Sequence, residues 1–203
     1  MTDFIDGPPE KTEGVRERKR RETLQRIAEI GLRLFAENGY EATTLEGIAA
    51  AAGISARTFF YYFKTKDEVL KFWQGSGILD ALRPALLAES AAQTPLDAVQ
   101  NCLLKLISRY ESEKSIIVDR IFNSSETLRA RKQAIYFAME QTIFEALCEL
   151  WPQAGQRASL RMVAMVSVGA MRLAMEARRQ QNGERSLAEY LRDSFSILKN
   201  QIA

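Results

Sequence analysis

Histidine is absent from this chain of 203 residues. That removes the usual general base at neutral pH and the commonest metal ligand, so a serine-hydrolase triad or a histidine-bearing zinc site cannot be assembled. Carboxylate and lysine chemistry remain, but no acidic pair stands out in an apolar setting. Neither an enzyme, a cofactor nor a metal site is therefore expected. Cysteine is scarce: Cys102 and Cys148 are the two present, too few for a disulfide framework or a metal cluster. Both fall in apolar helical stretches, where a buried free thiol is the expectation. Long apolar runs are lacking too. None approaches the ~18 residues of a membrane span, and no signal-peptide pattern opens the chain. A cytoplasmic protein without membrane association is expected. There is also no large charge of one sign, the net being +2. Any affinity for nucleic acid must be read from where the charges sit.

What is present suits one large or two small domains, with 46% hydrophobic residues to build a core. No internal repeat or low-complexity segment occurs. The most informative stretch is residues 43–66, TTLEGIAAAAGISARTFFYYFKTK. Thr43 and Glu46 form a capping-box pattern before an apolar run. Leu45, Ile48, Ala49 and Ala52 recur at helical spacing. Gly53 can take the left-handed conformation of a C-terminal cap. Ser55 caps a second helix over 56–63, and Thr65 with Glu68 repeats the capping box before a third. Helix, short glycine-containing turn, helix is the helix-turn-helix signature. Phe59 and Phe63, four apart, share a face turned to the preceding helix. The rest of that helix is short, hydroxyl-bearing or aromatic, and free of acids. Such a surface suits a major groove about 12 Å wide and its flanking phosphates.

Residues 23–70 resemble the DNA-binding domain of the TetR family of transcriptional repressors. The resemblance rests on LFAENGY (34–40), ATTLEGIAAAAGIS and RTFFYYFKTKDEVL, in order and at the right spacing. It implies an all-α fold, with an N-terminal three-helix helix-turn-helix domain and a larger helical ligand-binding and dimerisation domain. It also implies DNA contacts from Thr44, Ser55, Ala56, Arg57, Thr58, Phe60, Tyr61, Tyr62 and Lys66. Two positions depart from the pattern. Many members carry glycine where this chain has Arg57, and tyrosine where it has Phe60. Arg57 can fork onto guanine O6 and N7 or clamp a phosphate. Phe60 cannot donate to a phosphate.

Upstream, residues 1–15 read as a flexible leader. RERKRR (16–21) follows, five cations against one acid. Leading into a helix-turn-helix, Arg16, Arg18, Lys19, Arg20 and Arg21 read as a basic arm for phosphates or the minor groove. Residues 16–70 form the DNA-binding domain and 71–203 the ligand and dimer domain, with Gly75-Ser76-Gly77 marking the boundary. Downstream, helices are expected over 78–90 (with Pro84 inside), from Pro95 to about 110, and over 116–122, 126–151, 155–181 and 186–201. The last two, with small residues at Ala164, Gly169, Ala170 and Ala174 and a stripe including Leu191 and Phe195, are expected to pair with their copies in a homodimer. Such a dimer would bind an inverted-repeat operator.

In the resembled family a small effector binds among the helices of the second domain and releases the DNA. The lining expected here is Tyr110, Ile117, Arg120, Ile121, Tyr136, Phe137, Glu140, Phe144, Met171 and Met175, mostly apolar or aromatic. Arg120, within SIIVDRIF, needs an anion: Glu140, or a ligand head group. A hydrophobic effector with an anionic head is therefore the expectation. The competing readings are a helix-turn-helix regulator controlled by a protein partner or by abundance, and an enzyme on an all-helical scaffold.

Overall fold

The computed structural model describes residues 14–73, 78–112, 114–153 and 155–202. Most of the expected leader and the Gly75-Ser76-Gly77 boundary lie outside these residues. Among the described residues the regular elements are ten α-helices. The first, α1 (Val15–Asn38), buries Ile27, Ala28, Gly31, Leu32 and Phe35 on one face, the spacing of an amphipathic helix. Its first turns bury nothing. The basic run 16–21 lies wholly within this helix, which begins about one turn before the expected start. Arginine, lysine and glutamate are good helix formers, and Arg18 and Glu22 pair one turn apart at 3.8 Å.

The next three helices are short: α2 (Leu45–Ala51), α3 (Ala56–Tyr62) and α4 (Lys66–Trp73). The cap of α2 is Thr44, whose hydroxyl oxygen accepts from the Gly47 N–H at 3.0 Å. This corrects the expected capping role of Thr43. Thr43 is buried, with its hydroxyl 2.8 Å from the Gly39 carbonyl and 3.1 Å from that of Leu34, tying the α1–α2 loop to the end of α1. Ser55 caps α3 as expected, accepting from the Thr58 N–H at 3.1 Å. Gly53, at φ +66°, supplies the left-handed joint between α2 and α3. Ile27, Phe35, Ile48, Phe59, Phe63, Val69 and Leu70 make the core of this head. Gly31 is its point of closest approach: a Cβ there would lie 2.5 Å from Val69 Cγ1.

The larger body comprises α5 (Ile78–Leu87), α6 (Pro95–Tyr110), α7 (Lys114–Phe122), α8 (Glu126–Leu150), α9 (Arg157–Gln180) and α10 (Leu187–Ile202). Thr94 and Ser125 cap α6 and α8, with Pro95 at the first position of α6. The body's core draws on α5, α6, α8, α9 and α10. By contrast, Val118, Ile121 and Phe122 of α7, and Leu128 at the start of α8, join the core of the head. α7 thus packs on α1 and α4 on one side and on α8 and α9 on the other.

Two expectations are corrected by α9 and α10. By length and composition α9 is apolar enough to cross a membrane, with a mean hydropathy of 1.3 over its most apolar window. In the structure it packs against α10, α8 and α6 on one side, with 39% of that window buried. Leu191 and Phe195 are not on an outer face: both are 0% exposed within the subunit. The open apolar face belongs to Met162, Met165 and Leu173 of α9 and Ile197 of α10, exposed by 58%, 48%, 61% and 64%. Gly169 falls within the same stripe of α9 and has nothing within 4 Å of where its Cβ would stand. A second helix can therefore approach closely there.

Candidate nucleic-acid interface and ligand cavity

α3 buries Phe59 completely and Phe63 nearly so, against α2 and the rest of the head. That anchoring leaves Ser55, Ala56, Arg57, Thr58 and Tyr61 exposed. Tyr61 is 68% exposed, a large uncompensated aromatic surface for a solitary head. Arg57 has no hydrogen bond or ion pair to another described residue, so its fork is free for an external partner. Ser55 and Thr58 are linked hydroxyl to hydroxyl at 2.9 Å. Phe60 and Tyr62 are half-buried. Phe60 meets the Phe59 ring edge-on at 5.9 Å, so it turns partly inward. Thr44 is exposed at the start of α2, its side-chain oxygen engaged in the cap. On α1, Arg18, Lys19 and Arg20 are exposed.

Lys66 has a different setting from the one its motif position suggests. Its ammonium donates to the carbonyls of Tyr40 (2.7 Å) and Glu41 (3.2 Å) and lies 4.6 Å from the centre of the Tyr40 ring. It therefore clamps the α1–α2 loop onto the start of α4. The Tyr40 hydroxyl in turn donates to Asp67, which also pairs with Arg131 of α8. Burial, reinforced by the Asp67 carboxylate, pushes the Tyr40 phenol up to about 12. A polar chain thus runs from the loop of the head, through α4, to the body.

Asp67 and Arg131 also border a cavity of about 640 Å³, within the usual range for small-ligand sites. Its walls come from both parts of the molecule. α4 supplies Asp67, Lys71 and Trp73; α6 supplies Leu103, Leu106, Ile107 and Tyr110; α8 supplies Arg131, Lys132, Tyr136 and Met139; α9 supplies Met171 and Met175. At the α7–α8–α9 junction lies Asp119, 6% exposed. It pairs with Lys132 and, at 3.1 Å, with Arg179. The Tyr136 hydroxyl has a poor acceptor, the Met175 sulfur at 3.5 Å. Burial first, then the nearby Asp119 charge, pushes this phenol up to about 12.

Of the lining expected from sequence, the cavity brings together Tyr110, Tyr136, Met171 and Met175. The other six lie elsewhere. Ile121 is in the core of the head and Ile117 packs against it. Phe137 is 64% exposed. Phe144 is buried in the body, with the guanidinium groups of Arg157 and Arg161 each 5.1 Å from its ring centre. Glu140 pairs with Arg161 at 2.9 Å rather than with Arg120. Arg120 is exposed and donates to the Asn182 side chain at 3.0 Å. α7 presents its other face, with Asp119, Val118 and Phe122, to the cavity. Sequence reasoning missed Lys132. A usable signal was present: Leu128, Lys132, Tyr136, Met139 and Ile143 follow helical spacing, which puts a lysine in line with a buried stripe.

Residues 27–71 match the family described as bacterial regulatory proteins, tetR family. The transcriptional regulator TcmR of Streptomyces glaucescens is 38% identical over 96 residues, 47% of this chain and 42% of that protein. The repressor KstR2 of Rhodococcus jostii is 29% identical over 133 residues, 62% and 59% of the two chains. The match thus spans less than half the length of TcmR. Among solved structures, the SmeT–triclosan complex superposes with a TM-score of 0.64 at 17% identity, covering 87% of this chain and 91% of that one. The FadR repressor of Thermus thermophilus, in complex with lauroyl-CoA, gives a TM-score of 0.53 at 26% identity, over 86% and 92%.

Proposed function

We propose, for a chain that belongs to the tetR family of bacterial regulatory proteins, the work of a cytoplasmic repressor released from its operator by a hydrophobic small molecule. The observation that carries this reading is the shared cavity: α4 of the DNA-reading head and α8 and α9 of the body wall the same space. A ligand there touches both parts, so it can favour one relative placement over another. It shifts DNA affinity by its differential affinity for the two placements and by no more. The lauroyl-CoA held by the Thermus thermophilus FadR supports an apolar occupant.

In this reading the head docks α3 in the major groove. Arg57 and Thr58 address base edges or phosphates, Ser55, Ala56, Tyr61 and Tyr62 frame them, and the basic first turns of α1 reach flanking phosphates. Residues 16–70 and 71–203 divide these labours. A second copy of the chain covers the Met162–Met165–Leu173–Ile197 stripe, placing two heads on an inverted repeat. Arg120, which suggested an anionic head group on the effector, takes no part in the cavity.

The test is a mobility-shift titration on DNA upstream of the chain's own gene region, with and without hydrophobic acids, acyl thioesters and aromatic compounds. Sequence-specific binding that falls with salt, and release by at least one compound that also raises Tm, is the expected outcome. Specific binding that no cavity ligand alters would leave a regulator controlled by a protein partner.

A further inference from the structure

We infer that the cavity is built for an apolar ligand carrying one carboxylate, and that Lys132 is the residue that receives it. The inference rests on the ligand-release reading for the cavity's role, but not for the release of DNA.

Most charges of the wall are matched or open to solvent. Asp67 is matched by Arg131, and Lys71 and Asp80 are exposed to solvent. Glu111 is matched by Arg178 at 3.0 Å. The Asp119 cluster is not matched in this way. The buried Asp119 carboxylate there meets two cations: Lys132, which lines the cavity with a side chain 12% exposed, and Arg179, which reaches Asp119 from outside the lining with a side chain 29% exposed. The cluster thus holds one cation more than it has carboxylates, and Lys132 is the cation of it that lines the cavity, where an anion can join it.

The free hydrogen-bonding capacity has the same sense. An ammonium carries three donors, and the hydrogen bond of Lys132 among the described residues is the one to Asp119. Tyr136, on the same face of α8 as Lys132 and one turn along, donates to a thioether, a weak acceptor that a carboxylate oxygen outcompetes. Both groups line the cavity. Met139 on the same stripe of α8, with Leu103 and Leu106 of α6 and Met171 of α9, also lines the space, and these offer an aliphatic or aromatic body nothing but apolar contact. A carboxylate against Lys132 and Tyr136, with its body on these residues, neutralises the cluster and uses the idle donors. A cationic ligand would add to the surplus.

The experiment compares two probes of one shape, dodecanoate and 1-dodecanol. They are titrated into the full-length wild-type chain, with the Trp73 fluorescence at the cavity wall and calorimetry as readouts. The acid is expected to bind about tenfold tighter or better, the scale of one charge-assisted hydrogen bond. In Lys132→Met the acid is expected to fall to the level of the alcohol, while the alcohol stays within about threefold of its wild-type affinity. Lys132→Arg keeps the charge and should keep part of the preference. Equal affinities in the wild type, no binding of either probe, or a preference that survives Lys132→Met would each overturn the inference. The wild-type comparison and Lys132→Arg decide the matter if Lys132→Met fails to fold. Operator release is measured apart. A preference without release upholds this inference and removes the repressor mechanism; release by dodecanol without a preference does the reverse.

Discussion

Leu173→Lys should separate the proposed dimer without disturbing the subunit. Leu173 is 61% exposed on α9 in the subunit alone. Complete burial of a leucine side chain stabilises by ~1.5–3 kcal/mol, so covering the open part contributes about 1–2 kcal/mol per copy. A two-fold interface counts the residue twice, giving about 2–4 kcal/mol, or roughly a 30- to 700-fold rise in dimer dissociation constant. The cost of drying an ammonium adds to this. Sedimentation velocity from nanomolar to micromolar concentration reads the constant, and circular dichroism checks that helicity is unchanged. The paired control is Leu191→Lys, one helix away but 0% exposed, which should unfold the subunit. A Leu173→Lys chain that dimerises as the wild type does, or a Leu191→Lys chain that is a well-folded monomer, would refute the assignment of the two faces.

Four further outcomes follow from the geometry. Gly31→Ala places a methyl 2.5 Å from Val69 Cγ1, and overpacking of this kind costs about 1–3 kcal/mol; Tm and operator affinity should fall together. Arg57→Ala should cost about 1–3 kcal/mol of operator binding and relax preference at one base per half-site. Lys66→Ala should weaken all sequences alike and also lower Tm, since the Tyr40 and Glu41 carbonyls lose their donor; a normal Tm would return Lys66 to a plain phosphate contact. The phenols of Tyr40 and Tyr136 are both pushed from an ordinary 10.0 to about 12. A raised folded-state value means the contribution is whole below pH ~10 and is lost as pH climbs towards ~12. Denaturant midpoints of Tyr40→Phe and Tyr136→Phe should therefore decline less steeply over that window than the wild type.

What could be read in the sequence was what short-range chemistry decides. Ser55, Thr94 and Ser125 cap their helices because the acceptor and its N–H lie three residues apart in one chain. The same logic slipped at Thr43-Thr44, where two threonines compete and the carbonyls of Leu34 and Gly39 claim the hydroxyl of the first. Facing was harder. α9 is apolar nearly all round, so nothing local separates the stripe of Met162, Met165 and Leu173 from the core side of Ala164, Val168 and Met171. α7 is similar: Asp119 and Arg120 are neighbours on opposite duties, one turned to Lys132 and Arg179, the other to Asn182. Which of the two met the cavity depended on α8 and α9, far away in sequence. Lys66 shows the same limit, its motif position being legible and its bond to the Tyr40 carbonyl being tertiary.

In the proposed mechanism one cavity serves both the head and the body, so that ligand and operator compete for the placement of α4. The most direct measurement of this competition is reciprocal linkage. The affinity of a cavity ligand is measured on the free protein and on the operator-bound protein, and operator affinity with and without saturating ligand. Both ratios should exceed unity in the direction of mutual exclusion and agree with each other, as linkage requires. A ligand that fills the cavity with the same affinity in the free and operator-bound protein would contradict this mechanism.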